Sequence, residues 1–410
     1  MIASTIRERT INGTAFYPRT SRLNQRQKWN AWDLYHIVDE YTDWKQELAD
    51  IRQRASALDQ SPLAKHYVAG PDAAAFVDYL ITRDATKIAV GQVYYTPWCN
   101  EDGALVGDGL VARVEEDRFL FSADPMMNWF LHNAEGYRVT VEDVTLDFGL
   151  LALQGPKATD VLESATGESW DDLRFSRLRS SIIGGAEVLV SRQGFTGEVG
   201  YELMVATPEG ATLWDALFEA GGPIGLGAGG LHAIDVARVE AGLVIVGSDY
   251  TPASMVDRMG DSIPVSPENM TTPVEMNMHK FIEFDKATDF IGKAALQREL
   301  EVGPKRSMMG IEVDWHDIVG LYQDADIPPE VTPQVIRFPL TIFHEDSAVG
   351  RATSVTWSPT VKKVIGFAHV SPASAEPGTR VRVGWSSGPI QGNVGATIVA
   401  LPHYRLRRAQ

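Results

Sequence analysis

A single cysteine, Cys99, stands in 410 residues, which excludes an internal disulfide framework and the cysteine-cluster metal sites. No metal centre is expected. Basic residues are also short, 37 Lys and Arg against 54 Asp and Glu, and the net charge of −17 opposes adhesion to nucleic acid and to anionic membranes. Neither is expected as a partner. No apolar run approaches the roughly 20 residues of a membrane-spanning helix. The polar start MIASTIRERT lacks the apolar centre of a signal peptide, so the expected location is cytoplasmic. The basic run RLRR at 405–408 reads as a solvated end.

The chain does carry a glycine-punctuated turn, SRQGFTGEVGYELMV at 191–205, that feeds an alternating strand. Gly194, Gly197 and Gly200 free the backbone for positive φ or for close approach of a ligand. In the strand, Tyr201, Leu203 and Val205 face one way and Gly200, Glu202 and Met204 the other. One carboxylate thus stands among small and apolar neighbours, where it can accept two parallel hydrogen bonds from a flat ligand with adjacent N–H donors. A hairpin with Glu202 in solvent is the alternative.

A length of 410 residues allows two or three domains and a large core. Residues 39–58, with Trp44, Leu48, Ile51 and Ala55 at spacings of three and four, read as an amphipathic helix. Pro71 and Asp72 open another. Residues 91–114 read as a β-hairpin about Asn100–Gly103, with Asp108 on the second strand between Gly107 and Gly109. Tyr94, Tyr95 and Trp98 on the first strand can stack on an aryl ring or face a cation, or simply pack the core. LALQGPK at 151–157 reads as a strand-to-helix turn. A helix follows over 210–220, with Leu213, Trp214 and Leu217 inward. Asp289 is placed as N-cap of a helix near 290–296. Met276 and Met278 suit core filling. EVGPKR at 301–306 reads as a linker, and the short strands beyond it favour a small barrel.

RQGFTGEVGYELMV resembles the signature of the glycine-cleavage T-protein family, whose members bind tetrahydrofolate and pass a one-carbon unit to it. The resemblance extends across the chain. It includes ALDQSPLAKHYVAG with Asp59, CNEDGALVGDG, ARVEAG with Arg238 and Glu240, and WSPTVKKVIGFAHV near the end. It implies an α+β, multi-domain fold, with mixed and antiparallel sheets and helices around a central folate site at 1–300. A C-terminal small β-barrel at 307–410 completes it. It also implies tetrahydrofolate as cofactor, with Glu202 holding the pterin and Tyr95 and Ser122 beside it. Arg238 would hold the anionic tail, a surface ion pair being the alternative.

Where the family has two adjacent aspartates this chain has Gly107-Asp108, and Ser122 stands where T-proteins usually have asparagine. Both departures resemble the family's tetrahydrofolate-dependent demethylases, dimethylsulfoniopropionate demethylase among them. The expected activity is accordingly methyl transfer from a small O-, S- or N-methyl metabolite to tetrahydrofolate. Asp108 and His232 are the candidate catalytic residues, Tyr94 and Trp98 the donor-binding ones. A lone histidine such as His232 is more often structural. The alternatives are a glycine-cleavage-type aminomethyltransferase and a non-catalytic folate-binding protein. A monomer or homodimer is expected.

Overall fold

The computed structural model describes residues 12–253, 255–256, 262–263 and 269–408; the polar start read above lies outside them. Two sheets face one another. One has six strands. In spatial order these are Leu178–Ile183, Ala186–Ser191, Gly200–Ala206, Phe148–Gln154, Ala55–Asp59 and Leu226–Gly229. All its pairs are antiparallel except the last. The other has five antiparallel strands: Gln92–Cys99, Leu105–Glu115, Arg118–Ala123, Ala64–Ala69 and Thr140–Asp143.

Alternation decides what lies on either side of each sheet. Tyr201, Leu203 and Val205 turn to the outer face of the six-stranded sheet. There they are buried with Phe16, Trp170 and helices Ala158–Thr166 and Gly210–Gly221. The outer face of the five-stranded sheet packs Trp98, Val111, Phe119 and Phe121 against helix Ala73–Leu80. Between the sheets lies a smaller cluster, Val93, Ala112 and Leu120 from one and Leu150 and Met204 from the other.

The fold is α+β, and its strands from Ser307–Val313 to Ile390–Val399 close into a six-stranded barrel with a core of its own. Met276 and Met278 fill the contact that joins the barrel strands, through Met308, Ile365 and Phe367, to Leu105, Val239 and Tyr250. Two local expectations shift. The helix expected over 39–58 spans only Trp44–Gln53, capped by Asp43, whose carboxylate accepts from the Lys45 N–H at 2.8 Å. The four residues Ser56–Asp59 leave the helical pattern because both neighbours in the sheet, Phe148–Gln154 and Leu226–Gly229, claim that segment. Asp289 does not cap its helix, which begins after Gly292 at φ +87°. It pairs instead with Lys293 at 2.9 Å.

Candidate active site

Six residues from each sheet line a cleft between them. From the five-stranded sheet come Lys65, Val93, Leu110, Ala112, Leu120 and Ser122. Leu150, Leu178, Leu189, Ser191, Glu202 and Met204 face them. The walls are apolar and the polar groups few, the composition expected of a small-molecule site. Strand pairing sets the polar row: Ser191 lies opposite Glu202 across one ladder, and Ser122 lies opposite both Leu110 and Lys65 in the other.

Glu202 is 8% exposed and hydrogen-bonds to none of the described residues. Burial raises its carboxyl to about 7, and the charge of Lys65 pulls it back only in part. Lys65 is itself spent on the carbonyls of Ser61 and Leu63, at 2.9 and 2.8 Å, and burial lowers its ammonium to about 8. The hydroxyls of Ser122 and Ser191 are buried without a partner among the described residues. Orphaned polar atoms in an apolar cleft are costly. A carboxylate and two hydroxyls so arranged fit a flat ligand that brings its own donors.

Asp108 stands two residues before Leu110 on the same strand, and so on the same face. Its Oδ2 accepts from the Tyr95 hydroxyl at 2.7 Å and its Oδ1 from the Tyr250 hydroxyl in a short bond. Burial raises the Asp108 carboxyl, while the two phenols hold it down and Asp249 adds repulsion. The outcome is a carboxyl above its ordinary range, fixed at both oxygens, on the strand face that carries Leu110 and Ala112.

The structure thus gathers Glu202, Ser122, Asp108 and Tyr95 on the facing sides of the two sheets, and places four other candidates elsewhere. Tyr94 and Trp98 alternate with Tyr95 and turn to the outer face. The Tyr94 ring lies 3.6 Å below the Arg83 guanidinium carbon, and Trp98, 2% exposed, meets Phe121 edge-on at 6.1 Å. Neither borders the cleft. His232 is the second residue of helix Leu231–Glu240, stacked on Trp44 at 4.4 Å, and burial lowers its imidazole. It does not border the cleft.

Arg238 has no exposure. Its guanidinium donates to Asp235 at 2.9 Å, Asp249 at 2.6 Å and Ser354 Oγ at 2.7 Å. Every arm that could take a folate tail is occupied. Arg238 acts at a distance, because Asp249 precedes Tyr250, and Thr353 and Ser354 of the barrel donate to the same carboxylate. Glu240 belongs to another cluster, where Arg52 reaches it at 2.7 Å.

Gly107 is on the outer face too. A Cβ there would meet Trp98 Nε1 at 2.8 Å, so the position is neither open space nor part of the cleft. The glycines of the central turn likewise serve packing. Gly194 and Gly200 lie flat on the Gln154 side chain, which accepts from Thr196 at 2.9 Å and donates to the Gln193 carbonyl at 3.1 Å. Sequence reasoning missed Lys65, Ser191 and Tyr250. Ser191 opens the motif and could have been read from it. Tyr250 reaches Asp108 from 142 residues away, a contact no local pattern encodes.

The chain matches the model of the GCVT N-terminal domain over residues 21–286 and that of the glycine cleavage T-protein C-terminal barrel domain over 328–405. It is 32% identical to an aminomethyltransferase of Bacillus pumilus, across 92% of this chain and 93% of the relative. An aminomethyltransferase of Caldanaerobacter subterraneus is 32% identical over 81% of each. The crystal structure of glycine cleavage system aminomethyltransferase T from Bartonella henselae superposes with a TM-score of 0.80 at 24% identity, over 98% of this chain and all of that one. The fold is shared throughout. On these grounds the chain belongs to the glycine cleavage T-protein family, whose enzymes are tetrahydrofolate-dependent one-carbon transferases.

Proposed function

We propose that the cleft holds tetrahydrofolate with its pterin ring between the two sheets, and that the one-carbon unit is transferred beside Asp108. Bound tetrahydrofolate supplies the nitrogen that accepts the carbon. Glu202 accepts paired hydrogen bonds from the ring's amino and ring N–H groups, and the Ser122 and Ser191 hydroxyls take remaining polar edges. The apolar residues around them exclude water. Holding acceptor and donor in contact is worth of order 7 kcal/mol or more of the barrier. Asp108, raised by burial and fixed by Tyr95 and Tyr250, can hold or release a proton at one oxygen as the leaving group departs.

The observation that carries this reading is the position of Asp108. The single acid kept at Gly107-Asp108 is the one on the cleft face, while position 107 is under Trp98. Loss of an acid at 107 therefore takes nothing from the cleft, and the argument from Gly107 to a methyl donor loses its footing. The relatives' names point the same way. We read the donor as an aminomethyl group carried on sulfur.

The test is mass analysis of the folate product. The purified chain is supplied with tetrahydrofolate and either a lipoyl-bound aminomethyl donor or a panel of S-, O- and N-methyl compounds. Methylene-tetrahydrofolate with ammonia release is expected from the first. Methyl-tetrahydrofolate from the panel, with no turnover of the aminomethyl donor, restores the demethylase. Folate binding without any turnover leaves only a binding protein.

A further inference from the structure

Each wall of the cleft carries one charge and one hydroxyl. On the six-stranded sheet Glu202 stands opposite Ser191, and on the five-stranded sheet Lys65 stands opposite Ser122. Parity fixes the second pair as it fixes the first. His66 and Val68 turn outward, to the Phe130 ring at 5.4 Å and to the outer core, so Lys65 turns inward. The function proposed above uses Glu202 and both hydroxyls and leaves Lys65 without a part.

Lys65 is 1% exposed. An ammonium has three N–H donors and no acceptor. Two of them go to the carbonyls of Ser61 and Leu63, at 2.9 and 2.8 Å, and the third meets no acceptor among the described residues. Three carboxylates act on it electrostatically, Asp59, Asp143 and Glu202. Asp59 accepts from Thr14 and Ser61, and Asp143 from Thr145. Glu202 is the one left without a partner among the described residues.

A donor-only cation and an acceptor-only anion thus line opposite walls of one apolar cleft without forming an ion pair. Burial short of a partner is costly to both. A ligand that brings donors to one wall and an acceptor to the other relieves both at once. Such a ligand is narrower in kind than a flat ring with donors: along one edge it must carry adjacent N–H groups and then a carbonyl oxygen.

We propose that Lys65 donates its third N–H to the ring carbonyl of the bound pterin, and so selects an oxo ring over a diamino ring. The inference rests on the cleft being the folate site. Amino group, ring N–H and ring carbonyl follow one another along one edge of the oxo pterin. In the diamino ring a second amino group replaces the carbonyl and sets donor against donor. Both rings can pair with Glu202, so the choice between them falls to the group beside that pairing. A site built to hydrogen-bond one group rejects the analogue that lacks it, because its own buried polar atom is then left unpaired.

Calorimetry of the unaltered chain and of Lys65→Met, each with a tetrahydropterin and with its diamino counterpart, decides it. Infrared spectroscopy follows the isotope-labelled ring carbonyl of the bound oxo ligand. The unaltered chain should prefer the oxo ring by about tenfold or more, the usual worth of a charge-assisted hydrogen bond. Its carbonyl stretch should fall below the value in water. In Lys65→Met the preference should vanish and the stretch should rise. Equal weakening of both rings by Lys65→Met, with the preference kept, makes Lys65 a prop for the turn at 61–63 and overturns the proposal. An unaltered chain that prefers the diamino ring, or leaves the stretch unshifted, overturns it as well, whether or not the variant folds. Failure of the folate reading shows separately, as an unaltered chain that binds neither ring or a Glu202→Gln variant that binds the oxo ring equally well, and the assignment of Lys65 falls with it.

Discussion

Glu202 is a buried carboxylate that waits for donors, and its ionisation should govern folate binding. Burial holds its free carboxyl up to about 7; below that pH it is a neutral acid that offers a donor where the pterin also brings one. Pairing with two N–H groups needs the anion, so the bound form has the lower pKa and binding expels a proton below about pH 7. Folate affinity should therefore fall as pH drops through 7, approaching about tenfold per unit below it. Calorimetry in buffers of different ionisation enthalpy reads both the affinity and the proton. Glu202→Gln should cost about 1–3 kcal/mol of binding at pH 8 and remove the pH dependence. An unchanged profile in the variant would assign the proton to another group. This residue was legible in the sequence because one strand and its alternation place it. Lys65 was not, although it stands within ALDQSPLAKHYVAG, since its row is set by pairing with Arg118–Ala123.

At the scale of elements, the ARVEAG segment shows where local reading stops. Its spacing suits a ligand if extended and a buried network if helical; the structure makes it the end of helix Leu231–Glu240, with both charged side chains inward. Arg238 is then the link between helix, barrel and site: it pairs with Asp249, which Thr353 and Ser354 also hold, and the next residue grips Asp108. Arg238→Ala should leave Asp249 as an unpaired buried charge and lower stability by about 3–5 kcal/mol in denaturant titration. It should weaken folate and tail-less pterin alike. A selective loss of the tailed ligand would return the tail site to Arg238. The alternation rule that placed Glu202 could also have placed Tyr94, Trp98 and Gly107 on the outer face. Aromatic identity and the broken aspartate pair point instead to a donor pocket, a reading that parity leaves without support.

At the scale of the molecule, one buried cluster ties the parts together. Arg52 from helix Trp44–Gln53 donates to Glu240 at 2.8 Å, Glu198 at 3.1 Å and the Thr196 carbonyl at 2.7 Å. Ser358 of the barrel donates to the other oxygen of Glu240, and the Tyr404 ring lies 4.6 Å from the Arg52 guanidinium carbon. The sequence marked the barrel by its many short strands and the central turn by its glycines, but not this joint, whose members come from five separate stretches. We propose that residues 1–300 and 307–410 are two domains that unfold together because of it. Arg52 pairs with two buried carboxylates, Glu198 and Glu240, so Arg52→Ala should cost about 3–5 kcal/mol. That loss falls within residues 1–300, where all the polar partners of Arg52 lie, and loosens Glu240, which Ser358 of the barrel also holds. Calorimetry should accordingly change from one transition in the unaltered chain to two in the variant, with the barrel keeping its own hydrophobic core. One transition displaced to lower temperature would instead mean that the barrel has no independent stability and that the boundary at 301–306 divides the sequence without dividing the fold.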